Sequence, residues 1–463
     1  MSEATVIVER FRDRTPGSLK IHEAAKNWLP GGDTRTINHY TPYPVFMAHG
    51  RGCTVTDVDG NDYLDLNNNM SAIVHGHAHP ALVAAATEQI ALGTALGAPT
   101  KLQAEHAEVL CSAIPALEKI RYCNSGTEAT MLAIRTARAF TGRELIVKIA
   151  GGYHGLHNDV QINMFTGMSE PTKEQDDLPD WFPAAQIPRG VPFNTVDNVF
   201  LLPFNNIEAA EELFSRHGSR IACIIVEPML SAAGGIPATA DYLHGLRRIT
   251  EEHGALLVLD ECATFRLGPL QGRYGITPDL MTLSKIIGGG LPMGAFGGRN
   301  DVMAQYDPTR PDPLYHAGAF GGNNLSLAVG LAALRTFGPA EIERLNATGE
   351  RLKLDISAAA KDVGVKLEVT GIGSLCHMHW GEGEISDAQD ALDRRTGLGT
   401  LPELFHLELT NRGMFISRRG LYCLSLPMAQ DDLDSFVAAV HGTLETLKPY
   451  IARELPHLIR SEG

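Results

Sequence analysis

The chain has 463 residues, 44% of them hydrophobic and 20% charged, which is ample for a large core and wrong for a disordered chain. A net charge of −15 argues against a nonspecific nucleic-acid surface. No stretch approaches the roughly 20 apolar residues that span a bilayer, which argues against a membrane partner. The seven cysteines are scattered and form no CxxC pair, as expected of reduced thiols rather than a disulfide framework. The N-terminal "MSEATVIVERFRDRTPG" lacks the apolar core of a signal peptide, so the expected location is the cytoplasm.

Residues 1 to about 50 are polar and turn-rich and include "WLPGGDTRTINHY". Next, "GCTVTDVDGNDYLDL" alternates apolar and polar residues around Asp-Gly, the pattern of a tight hairpin. "PALVAAATEQIALG" and "KLQAEHAEVLCSAI" read as helices, and "KIRYCNSGTEATMLAIRTARAFTG" as strand, turn and helix. "ELIVKIAGGYHG", "RIACIIVEPML" and "ALLVLDEC" are short apolar runs, each followed by a turn or glycine-rich segment, as buried parallel strands are. Residues 164–192 read as a long Pro-rich loop of the kind that usually serves function. A helix, "VKLEVTGIGSLCHMHW", "GMFISRRGLYCLSL" and a final helix close the chain. The expected organisation is an N-terminal segment of a small domain (1–75), a large mostly parallel α/β domain (76–335) and a C-terminal small α+β domain (336–463).

Four features carry chemistry. Ser125, Gly126 and Thr127 follow a strand and open a helix, whose free N–H groups and dipole favour a phosphate. The same residues also make an ordinary helix cap. In "GGYHG", Tyr153 or His154 stands where a ring can cover a planar ligand, or can simply pack on its own domain. Asp260 ends an apolar strand, and a buried carboxylate there needs a cationic partner. Lys285 lies between an apolar run and three glycines, a setting that lowers an amine's pKa and makes it nucleophilic. Together these describe a pyridoxal 5′-phosphate site, with a Schiff-base lysine and an aspartate on the ring nitrogen. The alternating His75, His77 and His79 of "HGHAHP" have no further ligand at metal spacing, so no metal is expected.

The stretches "GCTVTDVDGNDYLDL", "GHAHP", "CNSGTEATMLAIRTARAFTGR", "GGYHG", "VEP", "LVLDEC" and "PDLMTLSKIIGGGLPMGAFGGR" occur in the order found in class III pyridoxal-phosphate aminotransferases, which the chain resembles over nearly its whole length. The resemblance implies the aspartate-aminotransferase-like type I fold of these transferases. It makes Lys285 and Asp260 the catalytic pair and Ser125, Gly126 and Thr127 the phosphate holders. It places Tyr153 on the ring with Cys262 on the other face, and adds Glu227 of "VEP" to the cofactor group. It also implies a homodimer with the active site at the interface. There a neighbour's Gly-Thr turn normally reaches the phosphate. This chain has "HAGAFGGNN" instead, which loses the hydroxyl and leaves the backbone N–H groups of Ala319 and Phe320. Where some relatives have an asparagine, it has Ala232.

The N-terminal segment is similar to that of glutamate-1-semialdehyde aminomutases and closer to that of aromatic β-amino-acid aminotransferases. The latter resemblance makes Arg35 the carboxylate anchor, since a guanidinium grips a carboxylate through two parallel bonds. "SRRGLY" matches their Arg-Gly-x-Tyr pattern at Arg419, a candidate for the acceptor's α-carboxylate, although Arg418 is the alternative inward residue. The 164–192 loop lacks the Gly/Ser-rich character of an aminomutase gate. The expected activity is therefore ping-pong transfer of an amino group from a β-amino acid or related amino acid to a 2-oxo acid. An aminomutase or racemase on the same machinery is the alternative. A non-enzymatic pyridoxal-phosphate-binding regulator would need a DNA-binding segment for which the chain has no room.

Overall fold

The computed structural model describes residues 2–164, 172–175, 178–179 and 181–461. Much of the expected 164–192 loop therefore lies outside the described residues. The chain divides into two compact units: residues 80–343 with 385–393, and residues 1–79 with 344–384 and 394–463. The boundaries thus stand at 79/80 and 343/344, against the 75/76 and 335/336 expected, and the second falls inside the helix Pro339–Val363. Residues 385–393 join the large unit because their short helix closes on the backbone at Gly151. A Cβ there would lie 2.3 Å from Ala388 Cβ, and Asn205 Nδ2 donates to Ser386 O at 3.0 Å.

The large unit is built on seven strands. They are β1 (Lys119–Cys123), β2 (Leu145–Ile149), β3 (Val199–Leu202), β4 (Ile221–Val226), β5 (Leu256–Asp260), β6 (Leu280–Ser284) and β7 (Gly294–Gly298). Their order across the sheet is β1-β7-β6-β5-β4-β2-β3. The run from β6 through β5, β4 and β2 to β3 is parallel, and β7 alone runs antiparallel to both of its neighbours. Every residue of β2, β4, β5 and β6 is buried, which is why these strands read as unbroken apolar runs rather than alternating ones. Three helices matter below: α1 (Lys101–Ala113), α2 (Gly126–Thr141) and α3 (Asn324–Arg335). α2 buries Ala129, Ala133, Ile134 and Ala137 in the same core as Ile146, Cys223, Ile225 and Val258.

The small unit pairs the hairpin Thr54–Asp57/Asp62–Asp65 with Met47–Arg51 and Met414–Phe415 in a four-stranded sheet. Gly60 turns the hairpin at φ 85°, a left-handed position suited to glycine. A second sheet joins Leu367–Ile372, Leu375–Trp380 and Leu421–Cys423, and the helix Gln430–Glu454 closes the chain. Among the described residues, no single helix is long and apolar enough to cross a membrane.

Candidate active site

In the large unit, the sequence-predicted residues converge at the C-terminal ends of β1, β2, β5 and β6. Ser125 caps α2, its Oγ accepting the Glu128 N–H at 3.2 Å, while the Glu128 carboxylate takes the Asn124 N–H at 2.7 Å. This reciprocal cap leaves the N–H groups of Gly126 and Thr127 at the start of a 16-residue helix. A Cβ at Gly126 would lie 3.2 Å from Cys262 Sγ and 3.4 Å from Ser284 Cβ, so the helix start, Cys262 and the residue before Lys285 share one small space.

Asp260 is 3% exposed and fully bonded. Its Oδ2 accepts from His154 Nδ1 at 2.8 Å, and its Oδ1 accepts from the Cys262 N–H at 3.0 Å and Thr282 Oγ1 at 2.8 Å. Burial alone would raise its pKa, but the hydrogen bond and charge of His154, with the bonds from Cys262, hold it below the ordinary carboxylate value. The carboxylate is thus ionised at neutral pH inside the protein, ready to face a cation. Because a carboxylate only accepts, His154 carries its proton on Nδ1.

His154 was one of two ring candidates in its turn, and the structure divides the work between them. The buried His154 braces Asp260, while Tyr153 is 38% exposed. The Tyr153 N–H is held by Glu227 Oε1 at 2.9 Å, and Glu227 also accepts from Ser231 N and Oγ. Burial pushes the Glu227 carboxyl up. Cys262 is likewise pushed well above its ordinary thiol value by burial and by Asp260, so it stays a neutral, apolar-behaving contact.

Lys285 follows β6 with φ 57°, a left-handed conformation that costs a non-glycine residue roughly 1–2 kcal/mol. The chain then makes a 3₁₀ turn, Lys285–Gly288, and two left-handed glycines, Gly289 and Gly290. The three glycines that mark the sequence are therefore the exit of this turn.

Sequence reasoning missed four buried groups here. Thr282 lies opposite Asp260 in the parallel register, a pairing that no local pattern reveals. Glu261, fully buried, takes the Leu270 and Gln271 N–H groups, and burial pushes its carboxyl up to about 7. Lys148, inside the apolar run of β2, donates to Ile149 O at 3.0 Å and Asn163 O at 3.4 Å, and burial pulls its amine down to about 7. His106 is the fourth. Ala319 and Phe320 are both exposed, and no hydrogen bond among the described residues ties either to the Ser125–Thr127 turn.

The small unit holds a cavity of about 520 Å³ lined by Arg35, Asn69, Met70, Tyr40, Phe415 and Arg418, among others. Arg35 is exposed, and its Nη1 donates to Asn69 Oδ1 at 2.9 Å. Asn69 belongs to a left-handed turn, Asn68 to Ser71, with φ between 47° and 70°. That turn is held by the Asp65 carboxylate, which accepts the Asn67 and Asn68 N–H groups, and by Asn67 Oδ1, which accepts from Met70 N. Arg418, paired with Glu403 at 3.3 Å, lines the cavity, and Arg419 is not among the lining residues. Arg419 is half-buried, and burial, with Arg395 and Arg418 nearby, brings it down to about 10. Of the histidine trio, His77 Nε2 bonds Asp65 at 2.7 Å, while His75 and His79 pack edge to face at 5.4 Å.

A parallel α/β sheet that gathers a helix-opening turn, a braced buried aspartate and a left-handed lysine at its strand ends defines a pyridoxal-phosphate-dependent transferase. The comparisons agree. The family model for class III aminotransferases matches residues 36–421. The chain is 38% identical over 446 residues to a beta-phenylalanine transaminase of Variovorax paradoxus, covering 94% of this chain and 95% of that protein. It is 37% identical to a glutamate-1-semialdehyde 2,1-aminomutase of Methanothermobacter thermautotrophicus, covering 93% and 99% of the two chains. A crystal structure of an omega-transaminase from Sphaerobacter thermophilus superposes with a TM-score of 0.88 at 37% identity, covering 94% of this chain and 99% of that one. The chain belongs to the class III aminotransferase family and is a pyridoxal-phosphate-dependent aminotransferase.

Proposed function

We propose that this aminotransferase takes an amino group from a β-amino acid, or a related amino acid, and passes it to a 2-oxo acid. The observation that carries the cofactor assignment is Asp260, a buried carboxylate with three donors that is kept ionised at a strand end. A carboxylate kept ionised by these donors at a strand end can meet a further positive charge, and a protonated ring nitrogen would be such a charge. When bound, pyridoxal phosphate draws electrons from the substrate carbon and carries the amino group between donor and acceptor. Gly126 and Thr127 hold its phosphate through the start of α2, with Ser125 capping that helix. Tyr153 would cover one face of the ring, and Cys262 would lie against the other. Glu227 fixes the Tyr153 backbone. Lys285 would hold the group through its Nζ and would be the amine that moves a proton at the substrate carbon.

Arg35 is the proposed anchor for the donor carboxylate. Support comes from its place on the cavity wall and from the apolar Tyr40, Met70 and Phe415 beside it, which suit a donor with an apolar body. Arg418, rather than Arg419, shares that cavity and is the better placed to take a second carboxylate in the same space. A homodimer is proposed because Ala319, Phe320 and Tyr315 stand exposed on the large unit together with Val83, Ile90, Leu92 and Leu96. A second copy would cover such exposed apolar residues and bring its own turn to the phosphate. All seven cysteines are free, consistent with a cytoplasmic enzyme.

The test is a half-reaction without acceptor on a panel of α-, β- and γ-amino acids and simple amines, following the visible band of the lysine-bound cofactor. Stoichiometric loss of the band with one keto product, fastest for a β-amino acid, is the expected result. Catalytic consumption of one compound without net loss of the band would make the protein an isomerase.

A further inference from the structure

His106 sits at the middle of α1, wholly buried, and both of its ring nitrogens are engaged. Nε2 lies 2.8 Å from the carbonyl oxygen of Ile287, two residues after Lys285. Nδ1 lies 2.9 Å from the hydroxyl of Tyr122 in β1, three residues before Ser125. A carbonyl can only accept, so Nε2 carries the hydrogen. Burial holds the imidazole neutral, so Nδ1 is bare and the Tyr122 hydroxyl donates to it. The result is a directed chain from Tyr122 Oη–H through the ring to Ile287 O.

We propose that His106 is a positioning residue for the cofactor site, tying the turn that carries Lys285 to the strand that carries the Ser125–Thr127 phosphate turn. The inference rests on the pyridoxal-phosphate reading above, because it assigns those two segments to opposite ends of one ligand. Within the turn, Gly289 N–H bonds Ile286 O at 2.9 Å and Leu291 N–H bonds Gly288 O at 3.0 Å, and the His106 bond to Ile287 O ties it to α1. Lys285 is left-handed, and the chain leaves the turn through two left-handed glycines. On its far side the turn meets α3, where a Cβ on Gly330 would fall 2.1 Å from Ile287 O and 2.8 Å from His106 Nε2. The missing Cβ is what lets the helix pass over the Ile287–His106 bond. On the other branch, the rings of His106 and Tyr122 meet edge to face at 5.3 Å, and Tyr122 pairs across the sheet with Ala295 of β7. Removing the imidazole orphans a buried carbonyl on one side and a half-buried hydroxyl on the other.

The experiment compares full-length wild type with His106→Leu, His106→Gln and Tyr122→Phe, with and without added pyridoxal phosphate. Amide exchange over residues 286–290 and the rate of cofactor loss on dilution are measured for each. Leu110→Ala, a core truncation on the same helix, controls for general destabilisation when compared at equal distance from its melting point. His106→Leu is expected to speed both exchange and cofactor loss by about tenfold. His106→Gln, whose amide nitrogen replaces Nε2, is expected to restore the exchange protection. Tyr122→Phe should speed cofactor loss and leave exchange at 286–290 unchanged, and it decides the point if His106→Leu does not fold. Exchange in His106→Leu no faster than in Leu110→Ala, or no effect of Tyr122→Phe on cofactor loss, overturns the proposal. A wild type that takes up no pyridoxal phosphate sinks the functional reading instead, while the exchange data still decide whether His106 holds the turn.

Discussion

Asp260 and Arg35 are both charged residues assigned to substrate chemistry, yet they are held in opposite ways. Asp260 is buried at a strand end with donors from His154, Cys262 and Thr282 on its two oxygens. Arg35 is exposed, on an irregular segment, with a hydrogen bond to Asn69 in a strained turn. The same contrast separates Glu227 and Glu261, buried and saturated with donors, from Arg418, half-exposed beside Glu403. The residues proposed for the cofactor are locked by the core. The arginines proposed to meet a carboxylate sit where solvent screens them and where a substitution leaves the core undisturbed.

The comparison breaks most completely at Lys285. Lys285→Ala is expected to abolish both the visible cofactor band and turnover, and retained turnover would remove Lys285 from the site. Asp260→Asn keeps shape but removes the charge, and should lower kcat by roughly 10²- to 10³-fold with the cofactor still bound. A kcat unchanged in that variant would mean that the carboxylate faces no cation. Arg35→Ala should lower kcat/KM for a carboxylate-bearing donor by roughly 10- to 100-fold and barely touch an uncharged amine, since one charge-assisted bonding group is lost. Equal effects on both substrates would take Arg35 out of substrate binding.

Glu261, whose carboxyl burial raises from 4.5 to about 7, affects stability rather than turnover. Between those two values the folded protein holds a proton that the unfolded chain has released, so stability falls as pH rises across that window, by up to roughly 3 kcal/mol. Glu261→Gln should flatten this decline by a few degrees of Tm. Melting curves that stay parallel for the two proteins from pH 4.5 to 7 would show that Glu261 does not titrate there.

Much of the large unit was legible because buried parallel strands write themselves as apolar runs, and the turns after β1, β2, β5 and β6 carry the small and polar residues that the site uses. What stayed hidden are partners set by register and packing. Thr282 meets Asp260 only through strand pairing, and His106 reaches Ile287 across 181 positions of sequence. Lys148 lies in a run that reads as a buried strand, but no local pattern shows that its amine is buried against Ile149 O and Asn163 O. A usable signal did exist for His154, since a histidine in a strand-end turn beside a buried aspartate is a natural brace. Neighbouring arginines on an irregular segment point different ways, and no pattern chooses between Arg418 and Arg419. The left-handed run from Asn68 to Ser71 had no glycine to announce it.

The most direct test of the site is chemical. The holoprotein would be reduced with borohydride, digested, and its peptides mapped by mass spectrometry for the phosphopyridoxyl group. The expected result is a single modified peptide with the label on Lys285. A label on Lys148, a lysine in this unit whose burial favours a neutral amine, or on any other residue, would contradict the site as described.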